Sequence, residues 1–285
     1  MTNSDNLTAP ATTPPQPAML LKDCRHGKML FLKRDKYIGR SLDVYGEFSE
    51  LEGKLFSQIV RPGQTVVEVG ANIGAHTVHL AKLVGPKGSV LAFEPQRVIF
   101  QILCANVAIN ELFNVRTFQA AAGGEAGSLK VPALDYAAEN NFGGVSLRNA
   151  AAGEDVPVIA LDSLNLPSLH MLKIDVEGME ADVLSGARGL IARHRPFMYV
   201  ENDRKEKSEG LITLIGELGY DMWWHTPYLF NPDNFNKAGN NIFGTIVSVN
   251  LVCIPKESTS KLKGFLKVSG PADWWKKPNP PPAGS

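Results

Sequence analysis

Four acidic residues set among glycines and valines carry most of the chemistry this sequence shows. Glu68 lies in VVEVGANIGAHT, residues 66–77, where Gly70, Asn72 and Gly74 follow it closely. A plain turn needs one small residue, two at most. Three in quick succession after an apolar run ask the backbone to come close to something else. Glu94 ends the next apolar run, SVLAFEP, twenty residues beyond Gly74. Nucleotide-binding folds place the acid that holds ribose hydroxyls at about that distance. Further on, LKIDVEG puts Lys173, Asp175 and Glu177 at alternate positions. On a strand reaching that far they share one direction, and charges on a central strand cannot stay unpaired.

The first two features together argue for a nucleoside site over a bare turn. A dinucleotide fingerprint needs G-x-G-x-x-G with a pyrophosphate on the helix N-terminus. Here Asn72 replaces the middle glycine and Ala75 stands at the third. Glu68 would also face a pyrophosphate badly. A ligand without phosphate and with a cationic end fits better, and S-adenosylmethionine is such a ligand. Glu68 then serves its amino end, Glu94 its ribose, and Thr77 is placed to reach its carboxylate. A nicotinamide oxidoreductase is the competing reading, disfavoured by Asn72 and Glu68.

LKIDVEG has two readings. In one, Lys173 pairs with a carboxylate and merely orders a strand end. In the other, Asp175 faces the methionine part of the cofactor, and Asp175 and Glu177 orient the acceptor or take its proton. Methyl transfer is an in-line displacement that rewards alignment and exclusion of water. A hydroxyl acceptor must also lose a proton to a carboxylate or histidine within reach. His225, after Trp223 and Trp224, is a weaker candidate for that base. Asp175, Glu177 and Glu201, with Asn202, are oxygen donors that suit Mg²⁺. The DVE spacing does not demand a metal, so the reading proceeds without one. In NNFGGVSL, Asn141 and Phe142 are candidates to close over the site on Gly143 and Gly144. Tyr45 and Glu47, in DVYGEFSE, are candidates to cover the cofactor. His76 and His79 lack a third ligand and read as helix residues.

These residues need a frame, and the apolar pattern supplies one. Strands are expected at Thr65–Val69, Ser89–Phe93, Val115–Gln119, Val156–Ala160, His170–Val176, Phe197–Glu201, Tyr220–His225 and Thr245–Ile254. Helical spacing appears over Asp43–Val60, Ala75–Val84, Gln96–Asn110, Met179–His194 and Glu209–Leu218, and Met19–Ile38 suggests a hairpin. Alternation of strand and helix predicts an α/β fold: a mostly parallel twisted sheet with helices on both faces and an antiparallel C-terminal edge. The divisions expected are a disordered tail over 1–18, a lid or helical segment over 19–60, a main domain over 61–257 with an insertion about 123–167, and a C-terminal tail over 258–285. Its last residues, SGPADWWKKPNPPPAGS, cannot continue a sheet and read as a loose tail, although Trp274 and Trp275 could grip a partner.

DVYGEFSE, VVEVGANIGAHT, VLAFEPQ, CANVAIN, NNFGGVSL, LDSL, LKIDVEGMEADVLSGA and MYVEN, in that order, resemble the FkbM family of S-adenosylmethionine-dependent methyltransferases. The resemblance runs from about Leu42 to Pro255. It implies a Rossmann-like class I fold and S-adenosylmethionine as cofactor. The implied cofactor contacts are Tyr45, Glu68, Gly70, Asn72, Gly74, Thr77, Glu94, Pro95, Asn141 and Asp175, with catalysis at Asp175, Glu177 and His225. Members methylate hydroxyls of polyketides, sugars and other metabolites, and similar enzymes act on side-chain nitrogens of peptides. O-methylation of a small natural product or sugar is therefore expected. N-methylation of a peptide side chain and a noncatalytic cofactor-binding scaffold are the alternatives.

Composition narrows the partners. The 285 residues balance 29 Lys and Arg against 29 Asp and Glu, which gives no basic footprint for nucleic acid. Three scattered cysteines, Cys24, Cys104 and Cys253, form neither a disulfide framework nor metal-ligand spacing, and a reducing, cytoplasmic location fits. No apolar run reaches the roughly 18 residues of a membrane span, and MTNSDNLTAPATTPPQP lacks the basic and apolar regions of a secretory signal. A small-molecule or peptide acceptor is the expected partner, with a homo-oligomer left open.

Overall fold

The computed structural model of the chain describes residues 18–145, 152–260 and 262–276. The expected N-terminal tail, the end of NNFGGVSL and the proline-rich end of the C-terminal tail lie outside them.

The chain opens with a hairpin, β1 (Met19–Cys24) and β2 (Gly27–Leu32), then two short helices, α1 (Ile38–Tyr45) and α2 (Glu50–Ile59). The alternating part follows: β3 (Thr65–Val69), α3 (Ala75–Val84), β4 (Ser89–Phe93), α4 (Arg97–Ile109) and β5 (Val115–Phe118). Three strands, β6 (Ala121–Ala122), β7 (Gly127–Val131) and β8 (Glu154–Ile159), make a small separate sheet. The main rhythm resumes with β9 (Met171–Ile174), α5 (Glu180–Ser185), α6 (Arg188–His194), β10 (Phe197–Glu201), α7 (Lys205–Glu217), β11 (Tyr220–His225), β12 (Asn250–Pro255) and β13 (Leu266–Lys267).

The main sheet has eight strands in the order β13-β11-β12-β10-β9-β3-β4-β5. From β10 to β5 every pairing is parallel, and from β13 to β10 every pairing is antiparallel. The β-branched run Val66, Val67, Val69 is buried on both faces of β3, as a central parallel strand requires. Two cores follow. Val67, Val69, Leu172 and Ile174 pack beneath α5, α6 and α7, while Val66, Val90, Met171 and Tyr199 pack beneath α2, α3 and α4. The architecture is a Rossmann-like α/β fold, its mostly parallel sheet carrying an antiparallel edge. Among the described residues no helix is long and apolar enough to cross a membrane.

Four elements differ from expectation. The helix expected over 43–60 is broken at Gly46, which takes φ of 67° and ends α1. Gly186 likewise separates α5 from α6. A Cβ at Gly186 would stand 2.0 Å from the carbonyl oxygen of Gly123, so the break lets the helix pair pass that backbone. β9 stops at Ile174, short of the acidic residues. Beyond β12 the chain adds β13, which pairs with β11 just before the stretch expected to be loose, and within that stretch Trp274 packs edge-on against Trp224 at 5.9 Å.

Candidate active site

The right-handed crossovers bring the carboxyl ends of β3, β4 and β9 together, and two contiguous clefts open there. One has an apolar wall of Val69, Phe93, Pro95, Ala121, Val176 and Met179. Gly70, Glu94, Gly143, Asp175 and Glu177 line both clefts. The second is the more polar one. Asn72, Asn141, Glu52, His76, Glu201 and Ser248 face it.

The glycine-rich turn is built by its neighbours. Gly70 has φ of 81°, and a Cβ on it would stand 1.7 Å from the carbonyl oxygen of Asp175. The close approach that the sequence asked for is therefore to the next strand's backbone as well as to the cleft. Gly74, at φ of 87°, lies behind the turn, where a Cβ would meet Leu103 Cδ1 at 2.7 Å. Asn72 takes φ of 50°, and its side-chain oxygen accepts from the Ile73 N–H at 2.7 Å. Such a left-handed conformation is tolerated by asparagine and stored at functional turns.

Glu94 is clamped from two sides. Its carboxylate accepts the backbone N–H groups of Asn72 at 3.0 Å and Gln96 at 2.8 Å. Burial, opposed by those two bonds, pushes its pKa up to about 7. The carboxylate is thereby held rigidly at the junction of the apolar and polar clefts.

Asp175, Glu177 and Glu201 form the acidic side. An oxygen of each lies within 4.8 Å of the others, a set that could hold a metal ion. Asp175 accepts from Lys173 Nζ at 3.2 Å and remains half-open to the cleft. Glu177 does not continue the strand alternation. It has φ of 56°, and its carboxylate accepts from Arg204 Nη2 at 2.5 Å. Burial, then the charges of Asp175 and Asp203, push its pKa up to about 7 against the pull of Arg204. Burial raises Glu201 well above its ordinary value, with Asp175 and Glu177 adding to it.

Five sequence candidates sit elsewhere, lining neither cleft. Glu68 is buried and accepts from Thr77 Oγ1 at 2.6 Å, with Lys173 Nζ at 3.7 Å. It lines neither cleft, because β3 turns its side chain toward α3 and Lys173. Thr77, itself fully buried, spends its hydroxyl on Glu68. Tyr45 is buried beneath Phe230 and Phe243, its hydroxyl donating to the Asn240 carbonyl and accepting from the Ile242 N–H. Its neighbour Glu47 is also buried, accepting from Arg25 and Asn231. His225 hydrogen-bonds Tyr199 at 2.9 Å and stacks near Phe265, and the two clefts are lined without it. Burial lowers its pKa.

Sequence reasoning passed over two cleft residues. Glu52 accepts from Ser49 at 2.9 Å and lies 3.4 Å from His76 Nε2. Burial works against its charge, but His76 and Ser248 overcome it and hold the pKa at about 2. Its position inside an amphipathic helix hid it, since i to i+4 spacing does not tell a buried glutamate from a solvated one. Gln96, the other, looks from sequence like an ordinary residue opening α4.

A doubly wound sheet with a glycine-rich first turn, an acid at the end of the second strand and a carboxylate cluster at the fourth defines a class I methyltransferase. The methyltransferase FkbM domain matches residues 68–222, and the chain belongs to that family. It is similar to methyltransferase sdnD of Sordaria araneosa, 28% identical over 160 residues. Those residues are 42% of this chain and 59% of that protein. Methyltransferase 1 of Beauveria bassiana is 29% identical over 143 residues, 42% of this chain and 57% of that one. The alignment thus spans little more than half the length of these curated relatives. Among solved structures, methyltransferase FkbM from Methylobacillus flagellatus KT is similar at 18% identity, covering 76% of this chain and 55% of that one, with a TM-score of 0.43.

Proposed function

We propose that the chain binds S-adenosylmethionine and methylates a hydroxyl of a small natural product or sugar. The observation that carries this is the contiguity of the two clefts: an apolar slot beside a clamped Glu94 opens onto a polar chamber bordered by Asp175. The residues fit the cofactor. Phe93, Ala121, Val176 and Met179 make an apolar slot for the base, Glu94 keeps acceptor capacity for ribose hydroxyls, and the Gly70–Asn72 backbone borders the rest. When bound, the cofactor supplies an electrophilic methyl group on a sulfonium.

The chain's own part is to hold the acceptor and its proton. Lys173 fixes the Asp175 carboxylate at the mouth of the polar chamber, where it accepts the acceptor's hydroxyl proton. Glu177, with a pKa near 7, is matched to proton exchange at neutral pH, and Arg204 keeps it oriented. Arg204 also supplies the countercharge that a metal would otherwise bring to this cluster, so turnover is taken to be metal-independent. The two asparagines, Asn72 and Asn141, offer neutral polar contacts suited to a hydroxylated acceptor.

The test is calorimetric titration with S-adenosylhomocysteine, followed by transfer of labelled methyl to a panel of hydroxylated acceptors. Asp175→Ala should keep product affinity within about threefold and lose about 10²–10⁴-fold in turnover. Full turnover in that variant would remove Asp175 from the chemistry. Chelation with EDTA should leave the rate unchanged, and a rate restored only by Mg²⁺ would assign the carboxylate cluster to a metal.

A further inference from the structure

Gln96 is almost wholly buried, at 4% exposure, and lines the apolar cleft. Each of its polar groups but one is accounted for. Its backbone N–H donates to Glu94, and its side-chain Nε2 donates to the carbonyl of Phe142 at 2.8 Å. That second bond fixes the amide: turned over, it would set carbonyl oxygen against carbonyl oxygen. The remaining atom, Oε1, is buried and has no hydrogen-bond partner. Buried acceptors are nearly always satisfied, so one left over on a residue that lines the cleft marks a missing donor.

The surroundings say what kind of donor. Phe93, Pro95, Ala121, Val145 and Met179 supply a narrow apolar slot suited to a flat ring. Glu94, two residues from Gln96, is placed for hydroxyls. We propose that Gln96 reads the exocyclic amine of a 6-aminopurine through Oε1, and so makes this site selective for adenine over 6-oxopurine nucleosides. This rests on the cofactor reading above. An adenine amine donates where Oε1 needs a donor, whereas the carbonyl of a 6-oxopurine would oppose it. The bond to Phe142 adds a second task, because it holds the loop bearing Gly143, which borders both clefts, in the position that presents Oε1.

The test compares binding of S-adenosylhomocysteine with its deaminated analogue, S-inosylhomocysteine, to the full chain by calorimetry. The wild type should prefer the amine by roughly tenfold or more, since a site built to accept a hydrogen bond rejects a partner that cannot donate it. Gln96→Met, near in volume and without an acceptor, should weaken the adenosyl ligand and bring the two affinities within about threefold, roughly the residual left when no hydrogen bond is read. Equal binding of both ligands by the wild type overturns the proposal, whatever the variant does. A preference that survives in Gln96→Met overturns it too, by showing that another group reads the amine. Failure of the wild type to bind either ligand would instead sink the cofactor reading and this inference with it.

Discussion

At the scale of single residues, the site is governed by where charge is buried. Glu94 carries a pKa near 7, against 4.5 for a free glutamate. The sign follows directly. Between those values the folded chain holds a proton that the unfolded chain releases, so Glu94 costs stability as pH rises from about 4.5 to about 7. A ligand whose hydroxyls need the ionised form should bind more tightly as pH rises through about 7. Calorimetry of S-adenosylhomocysteine binding from pH 5.5 to 8.5 should show that rise, and Glu94→Gln should flatten it while weakening affinity. A flat wild-type profile would detach Glu94 from the ribose. Lys173 is the other pivot: burial opposes its charge, yet Asp175, Glu68 and Glu52 keep it protonated and raise its pKa. Lys173→Met leaves Glu68 buried without its countercharge and should cost about 3–5 kcal/mol in urea unfolding. A loss below about 1 kcal/mol would show that water or a protonated Glu68 fills the role.

At the scale of elements, the buried parallel strands were readable because they are short, largely apolar runs bounded by glycine, acid or proline. Thr65–Val69, Ser89–Phe93 and Phe197–Glu201 are bounded as the pattern predicts. Helix breaks were not readable. Gly46 and Gly186 interrupt good helical spacing for reasons set by distant contacts: a Cβ at Gly46 would meet Phe235 at 2.7 Å. The acidic motif shows the same limit. Strand alternation placed Asp175 and Glu177 together, and both do border the clefts, but β9 ends at Ile174 and Glu177 is turned by a left-handed residue toward Arg204. The burial of Glu68 against Thr77 and Lys173 was not readable, because a strand-end carboxylate looks alike from sequence whether it faces a cleft or a buried lysine. At the far edge, Trp274 and β13 cover Trp224. Trp274→Ala should lower stability by about 1–3 kcal/mol in chemical denaturation. No measurable change would return this segment to the loose tail that its composition suggests.

At the scale of the whole molecule, two stretches far apart in sequence, 37–49 and 229–248, meet over the polar cleft. Tyr37, Phe48 and Ser49 border it from one side, and Leu229, Val247 and Ser248 from the other. Tyr45 fastens the two, its hydroxyl bonded to Asn240 and Ile242, and Glu47 adds bonds to Asn231 and Phe235. These partners lie nearly two hundred positions apart, beyond any local pattern. Tyr45→Phe removes both hydroxyl bonds while keeping the ring. Amide exchange at Ile242 should quicken roughly tenfold, for about 1 kcal/mol of lost hydrogen bonding, while β3 and β4 stay protected. Equal quickening throughout would mean that the closure supports the entire fold rather than this flap. One further consequence belongs to Gly70 and Asp175. The peptide oxygen of Asp175 fills the space that any side chain at 70 would claim, so the two clefts, donor and acceptor compartments on the proposed function, share a party wall there. Enlarging one crowds the other. Selection for a bulkier acceptor through changes near 175 should therefore drag donor affinity along with it, and the two specificities would have to evolve as a linked pair.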